Sequence, residues 1–253
     1  MSRNGTLCRI IKNIGLLLFY LAAWQALSML VGSSLLLPSP LDTGKSLLMI
    51  LQDPLSWQDI GNTFLRLLAG FLLGTAAGIL LAAITARSRF LRWLLNPLRL
   101  LIKATPVMSF VLLLLVSVVS NWVPVIVAAI MVAPLLWATT EQAILSLDPK
   151  LTEMGKVYLS TIQRLMHVEL PQMLPQITAS AVTALGFAWK AVITAEVLSL
   201  PRFAIGNRMY LSKLYLDTAD TLAWTVWIVT LALLMEWLLK RITERGKNND
   251  RDS

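Results

Sequence analysis

A single cysteine, Cys8, and a single histidine, His167, occur in 253 residues. No internal disulfide can close, and no His/Cys zinc set can assemble. Charge is also scarce. Asp, Glu, Lys and Arg make up 14% of the chain against 57% hydrophobic residues, which exceeds the apolar content a soluble core of this size needs. Motifs for nucleotide and hydrolytic chemistry are missing. There is no G-x-x-x-x-G-K-[ST], so the chain has no P-loop of its own, and neither H-E-x-x-H nor G-x-S-x-G occurs. Ser, Thr and Cys nucleophiles lack a plausible His partner. We therefore expect no catalytic residue, no cofactor site and no metal site in this chain.

What is present is apolar sequence in blocks of membrane-spanning length, about 20 helical residues each. Six emerge, at 14–31, 67–86, two within 104–140, 176–200 and 221–239. The first 32 residues have a basic start and no A-x-A cleavage site, which predicts a retained span rather than a removed signal peptide. In the second span Gly70, Gly74 and Gly78 recur at four-residue spacing. They share one helix face and let a neighbouring backbone approach. The uncharged stretch 104–140 is long enough for two spans joined tightly at Ser120-Asn121, with Pro106, Pro124 and Pro134 as interruptions. Such breaks are tolerated where protein or a water-filled cavity satisfies the freed carbonyls. The expected fold is all-α, a polytopic transmembrane bundle forming one domain across 1–253.

The net charge of +8 is clustered between spans, which indicates membrane topology rather than nucleic-acid binding. With the amino terminus inside, the inner segments hold Arg3, Arg9 and Lys12, then Arg87, Arg89, Arg92, Arg99 and Lys103, then Lys150, Lys156 and Arg164, then Lys240, Arg241, Arg245, Lys247 and Arg251. The outer segments hold only Lys45, Arg66, Arg202, Arg208 and Lys213. Both termini are thus expected in the cytoplasm, with a tail at 241–253 and external segments at 33–60 and 200–219. The first external segment, with Pro38, Pro40 and Pro54, predicts a short surface helix. Trp224, Trp227 and Trp237 near the ends of the last span predict an interfacial aromatic belt.

One polar insertion stands out on the inner side, at 146–175. Asp148 can cap a helix with Pro149 at its first position, and Leu151, Met154 and Tyr158, with Val157, fall at helical spacing. An apolar stripe facing the cytoplasm needs either a membrane surface or a partner's groove.

The run Asp148-Pro149-Lys150-Leu151-Thr152-Glu153, followed by Leu170-Pro171, resembles the EAA loop of ATP-binding-cassette (ABC) importer permeases. Glu153-Met154-Gly155 stands at the E-A-A positions, and Leu159 at the position of that loop's glycine. Leu37-Pro38-Ser39-Pro40, the basic turn 87–97, Thr105-Pro106, and Gly186-Phe187-Ala188-Trp189-Lys190 leading to Ala195-Glu196 are similar to the nitrate, sulfonate and taurine branch. The similarity runs in order over about 200 residues. It implies a type I importer permease in the bacterial inner membrane, working as a homodimer with two cytoplasmic ATPase subunits. A periplasmic or lipid-anchored solute-binding protein would deliver a small anion such as sulfonate, taurine or nitrate. ATP and Mg would be bound by the ATPase subunits. Leu151, Glu153, Met154, Gly155, Tyr158 and Leu159 would couple to them.

Lys190 and Glu196 are ionisable groups within a span, costing at least a few kcal/mol unless paired or facing water. They lie about 240° apart around a helix and so need partners elsewhere. With Trp189 they are the candidate pathway residues, although structural pairing near the outer end of the span is the use favoured for Lys190 and Glu196. Arg202, Arg208 and Lys213 are candidates for docking an acidic rim of the binding protein. Glu141 reads as interfacial, and His167 as solvated or carbonyl-bonded. The rivals are an ion-gradient-driven secondary transporter, an importer of a neutral heteroaromatic nutrient, and an integral-membrane enzyme. No inverted repeat supports the first, and no interfacial cluster of polar groups supports the last.

Overall fold

A computed structural model describes residues 3–249. The side chains of Arg3, Cys8, Arg9, Arg245 and Lys247, and the whole of Arg251 with the rest of 250–253, lie outside the described residues. The described chain is helical throughout: α1 (Arg3–Val31), α2 (Pro40–Gln52), α3 (Pro54–Arg87), α4 (Arg89–Ala104), α5 (Val107–Leu115), α6 (Val123–Leu145), α7 (Pro149–Tyr158), α8 (Thr161–Arg164), a π-helical turn (Leu165–Glu169), α9 (Leu170–Ser199), α10 (Ile205–Leu214) and α11 (Thr218–Asn249).

Four stretches among the described residues are long and apolar enough to cross a bilayer: α3, α6, the run Thr161–Ser199, and Thr218–Arg241. The third expected span differs from a single upright helix. Its helical part is only α5, of nine residues; α4, expected as the basic inner segment, meets α5 at 94°, and the two together make a fifth candidate. The cause is Thr105-Pro106: the proline has no N–H to continue α4 and pushes the residue before it out of the helical region. Thr105 accordingly sits at φ −74°, ψ 128°. The apolar part of α1, Leu18–Val31, is shorter than a full span. The expected surface helix is α2, capped by Ser39, whose hydroxyl accepts from the Asp42 N–H at 3.1 Å.

The chain divides into two compact units. One comprises residues up to Trp57 together with Arg208–Val229. In it Trp24 donates to the Pro38 carbonyl at 3.1 Å and Ser28 to the Leu37 carbonyl at 2.9 Å, tying the end of α1 to the turn before α2. Trp57 and Trp227 meet edge to face at 6.0 Å. Trp224 is buried rather than part of an interfacial belt. The Leu55 backbone N–H, aided by the Ser56 hydroxyl and Arg208, holds the Asp53 carboxyl below its usual range.

The second unit comprises Gln58–Asn207 and the residues from Thr230 onward. Its centre is α6 packed on α9 and α5, with Val111, Val123, Val127, Ala191 and Ala195 buried together. The glycine stripe of α3 meets α6 as its spacing predicts. A Cβ at Gly70 would lie 2.7 Å from the Val125 carbonyl oxygen, at Gly74 2.7 Å from that of Ala129, and at Gly78 2.7 Å from that of Ala133. Only glycine permits this approach. In lipid, where apolar burial gives little drive for association, backbone proximity of this kind holds helices together.

Candidate functional site

The insertion at 146–175 folds as a helical hairpin. Asp148 caps α7, its carboxylate accepting from the Lys150 N–H at 2.9 Å, with Pro149 in the first turn. Ser160 and Gln163 form a reciprocal capping box at the start of α8. Between them Leu159 is extended at φ −124°, a conformation open to any L-residue. Leucine therefore serves where the EAA-like pattern has glycine, and the steric demand falls instead on Gly155. That glycine is buried beneath Arg164, whose Cγ would stand 3.0 Å from an added Cβ. Arg164 is held over it by Glu169 at 2.8 Å.

After α8 the helix widens: the Leu170 N–H reaches back to the Leu165 carbonyl. Pro171 cannot donate to the previous turn, and the wider turn absorbs that missing bond. His167 bonds through Nδ1 to the Gln163 carbonyl at 3.0 Å, the carbonyl-bonded role expected of it. The outer face of α7 is left without an internal partner. Leu151, Met154 and Val157 are exposed, and Tyr158 is 80% exposed. Glu153 is exposed beside them and Leu159 partly covered.

The intramembrane ionisable residues separate. Lys190 is exposed, whereas Glu196 is 0% exposed. Arg66 of α3 pairs with Glu196 at 2.9 Å, the Thr63 hydroxyl reaches both carboxylate oxygens at 3.0 Å, and the Gly206 N–H donates at 3.1 Å. Arg66 also donates to the carbonyls of Arg202 (2.9 Å) and Phe203 (3.0 Å). This knot fixes the connector after α9, where Leu200 and Phe203 take left-handed φ values of 47° and 51°. An added Cβ at Gly206 would overlap the Cβ of Glu196. Sequence reasoning found Glu196 but not its partners. The signal available was that a lone carboxylate in a span needs a cation, and Arg66 sits at the edge of an apolar run.

Trp189 is buried against a cavity of about 50 Å³ shared with Gly186 on α9 and with Leu233 and Glu236 on α11. Arg202 and Lys213 are exposed, and Arg208 is half-buried with Asp53 at 3.6 Å. Glu141, near the end of α6, is buried in the protein. It accepts from Arg99 at 2.6 Å and from Arg92 at 3.1 Å, both on α4, and Arg99 stacks over Trp137 at 5.2 Å. Among the described residues no group of three or more His, Cys, Asp or Glu could hold a metal ion.

Comparison with known proteins places this architecture. The chain is 26% identical over 214 residues to a probable ABC transporter permease protein of Brucella melitensis, covering 84% of this chain and 87% of that one. It is 25% identical over 210 residues to the nitrate import permease protein of Synechococcus elongatus, covering 78% and 74%. In fold it is similar to a bacterial ABC transporter involved in import of the acidic polysaccharide alginate, with TM-score 0.65 at 17% identity over 95% of this chain and 99% of that one. A methionine ABC transporter in inward-facing form gives TM-score 0.57 at 19% identity over 75% and 93%. Residues 74–245 match the family of binding-protein-dependent transport system inner membrane components. The chain belongs to that family: it is a multi-pass membrane permease of the ABC importer fold, a transport component distinct from the ATPase.

Proposed function

We propose that this chain forms the substrate pathway of an ATP-driven importer as a homodimer, taking closure from two cytoplasmic ATPase subunits through α7. The observation that carries this reading is the exposed face of Leu151, Met154, Val157 and Tyr158 on a helix whose own folding leaves it unpartnered. An apolar stripe on a short, doubly capped helix fits a groove in a partner. ATP and Mg belong to the ATPase, and a solute-binding protein delivers substrate at the opposite face, where Arg202, Arg208 and Lys213 supply cations for docking. Six crossings complete the topology, with α1 as the first and the α5 segment, entered from α4 at the inner interface, as the third, and both termini in the cytoplasm of a bacterial cell. The cation distribution between spans supports that orientation.

A small anion such as nitrate, sulfonate or taurine is the substrate class favoured here, supported by the Synechococcus elongatus relative named for nitrate import. In the dimer Trp189 and Lys190 lie toward the pathway, while Glu196 sets the shape of its end. Nucleotide-driven movement between inward-open and outward-open states then requires only that α7 contact the ATPase differently in its two nucleotide states.

The test is reconstitution with an ATPase subunit and a solute-binding protein that co-purify with this chain. Uptake of labelled anion into vesicles should require ATP and persist when an ionophore collapses ion gradients. Met154→Asp with Tyr158→Asp should abolish uptake and ATPase co-purification while leaving membrane insertion intact. Uptake that follows the ion gradient without ATP would instead establish a secondary transporter.

A further inference from the structure

The helix α4 carries a second pattern that the transport reading does not use. Its polar residues Arg89, Arg92, Asn96, Arg99 and Lys103 recur at alternating spacings of three and four, which places them on one helix face. Phe90, Trp93, Leu94, Leu98 and Leu101 are exposed on the remaining faces. The helix joins directly to the end of the apolar α3 through the Ser88 cap and turns by 94° into α5. A basic amphipathic helix between two apolar ones, set across the direction of the second, suits the plane of the bilayer interface.

The basic stripe is also shaped. Arg89, Arg92, Trp93, Asn96 and Arg99 line a recess of about 320 Å³. Arg92 and Arg99 are anchored by Glu141, and Asn96 accepts from Arg99 at 2.7 Å. These contacts orient the guanidinium groups before any ligand arrives. Three guanidinium groups line the recess and a single carboxylate, Glu141, pairs two of them, so the recess keeps a net positive charge. Arg89 has no ion-pair partner among the described residues, and Trp93 is 73% exposed at the rim. Tryptophan favours the headgroup level, where its ring meets lipid and its N–H meets polar groups.

We propose that this recess binds the phosphate headgroup of an anionic phospholipid, with Arg89 and the oriented Arg92–Arg99 pair as donors, Trp93 against the glycerol region and the apolar faces of α4 in the acyl layer. A lipid fits better than a free anion because the same helix presents both the cations and an exposed apolar surface for the chains. The site adjoins Glu141, Gln142 and Ser146, where α6 leads into the hairpin, so its occupancy stiffens the base of that hairpin. The proposal rests on the membrane placement of α3 and α6, and not on the substrate.

The test is native mass spectrometry of the full-length chain in detergent with equal amounts of phosphatidylglycerol and phosphatidylcholine. Wild type should retain phosphatidylglycerol preferentially. Arg89→Gln should lower that retention about fivefold, the scale of one basic residue at an anionic surface, and Arg89→Lys should keep most of it. Arg87→Gln removes the same charge outside the recess and should retain the lipid as wild type does. Equal retention of the two lipids, or equal loss in the Arg87 and Arg89 variants, would overturn the site in favour of none or of a diffuse field. Displacement of the lipid by millimolar inorganic phosphate would assign the recess to a free anion and overturn the lipid reading. Loss of lipid preference with ATP-driven uptake intact would leave the transport function standing, and the reverse result would strike the function alone.

Discussion

Glu196 shows how one side chain can organise a connector. Its carboxylate accepts from Arg66, Thr63 and the Gly206 N–H in a site closed to solvent. Removing one member of a buried ion pair leaves the other uncompensated, at a cost of about 3–5 kcal/mol, whereas removing both costs less. Glu196→Gln alone is therefore expected to lower thermal stability in detergent more than Glu196→Gln combined with Arg66→Gln. A double variant less stable than either single one would show that the two side chains act independently. At this scale the sequence disclosed the problem and not its solution. A carboxylate within an apolar run announces itself, but its partners lie 130 and 133 positions away in the chain and only packing identifies them. Glu141 is the same case. The basic turn and the carboxylate were both visible, and their pairing followed only from the fold of α4 against α6.

Among the helices, the Gly70–Gly74–Gly78 stripe was legible because four-residue spacing is a property of sequence alone, and its partner α6 is the next long helix in the chain. Carbonyl oxygens of α6 occupy the space a side chain would need. Gly74→Leu must push α3 and α6 apart, and overpacking of this kind costs at least 1–3 kcal/mol. The expected outcome is a lower unfolding temperature with loss of uptake, while Gly15→Leu, where nothing lies within 4 Å of an added Cβ, leaves both near wild type. The division between α4 and α5 was not legible as a right-angled bend. Apolar content counted residues 104–119 as span, while Pro106 set where the helix could not continue. The cap of α7 was readable from Asp148-Pro149, but the Ser160–Gln163 capping box and the widened turn before α9 were not, the turn because it answers a hydrogen-bond deficit that appears only once α8 and α9 are joined.

For the molecule as a whole, membrane orientation is the assignment on which the partner sites depend. The proposed cytoplasmic termini predict that the segment 146–175 is accessible from inside the cell and the segments 33–60 and 200–219 from outside. In a Cys8→Ser background, single cysteines at Lys45 and Tyr215 should react with an impermeant maleimide added to intact spheroplasts. Cysteines at Lys150 and Tyr158 should react only after permeabilisation. The opposite pattern would place the hairpin outside and remove its access to an ATPase. All four positions are exposed, so reactivity reports the side of the membrane rather than burial.

The widened turn at Leu165–Glu169 has a consequence for that partnership. A five-residue return in place of four inserts one extra position into the helix, and each position is worth about 100° of rotation. Deleting His167 would restore ordinary winding and swing α7 about the axis of α9 by roughly that angle, leaving every residue of α7 in place but facing the wrong compass bearing. We expect such a deletion to insert normally and to lose the ATPase as completely as disruption of α7 itself. A one-residue change of phase, with no contact residue altered, would then decide whether the motor can engage.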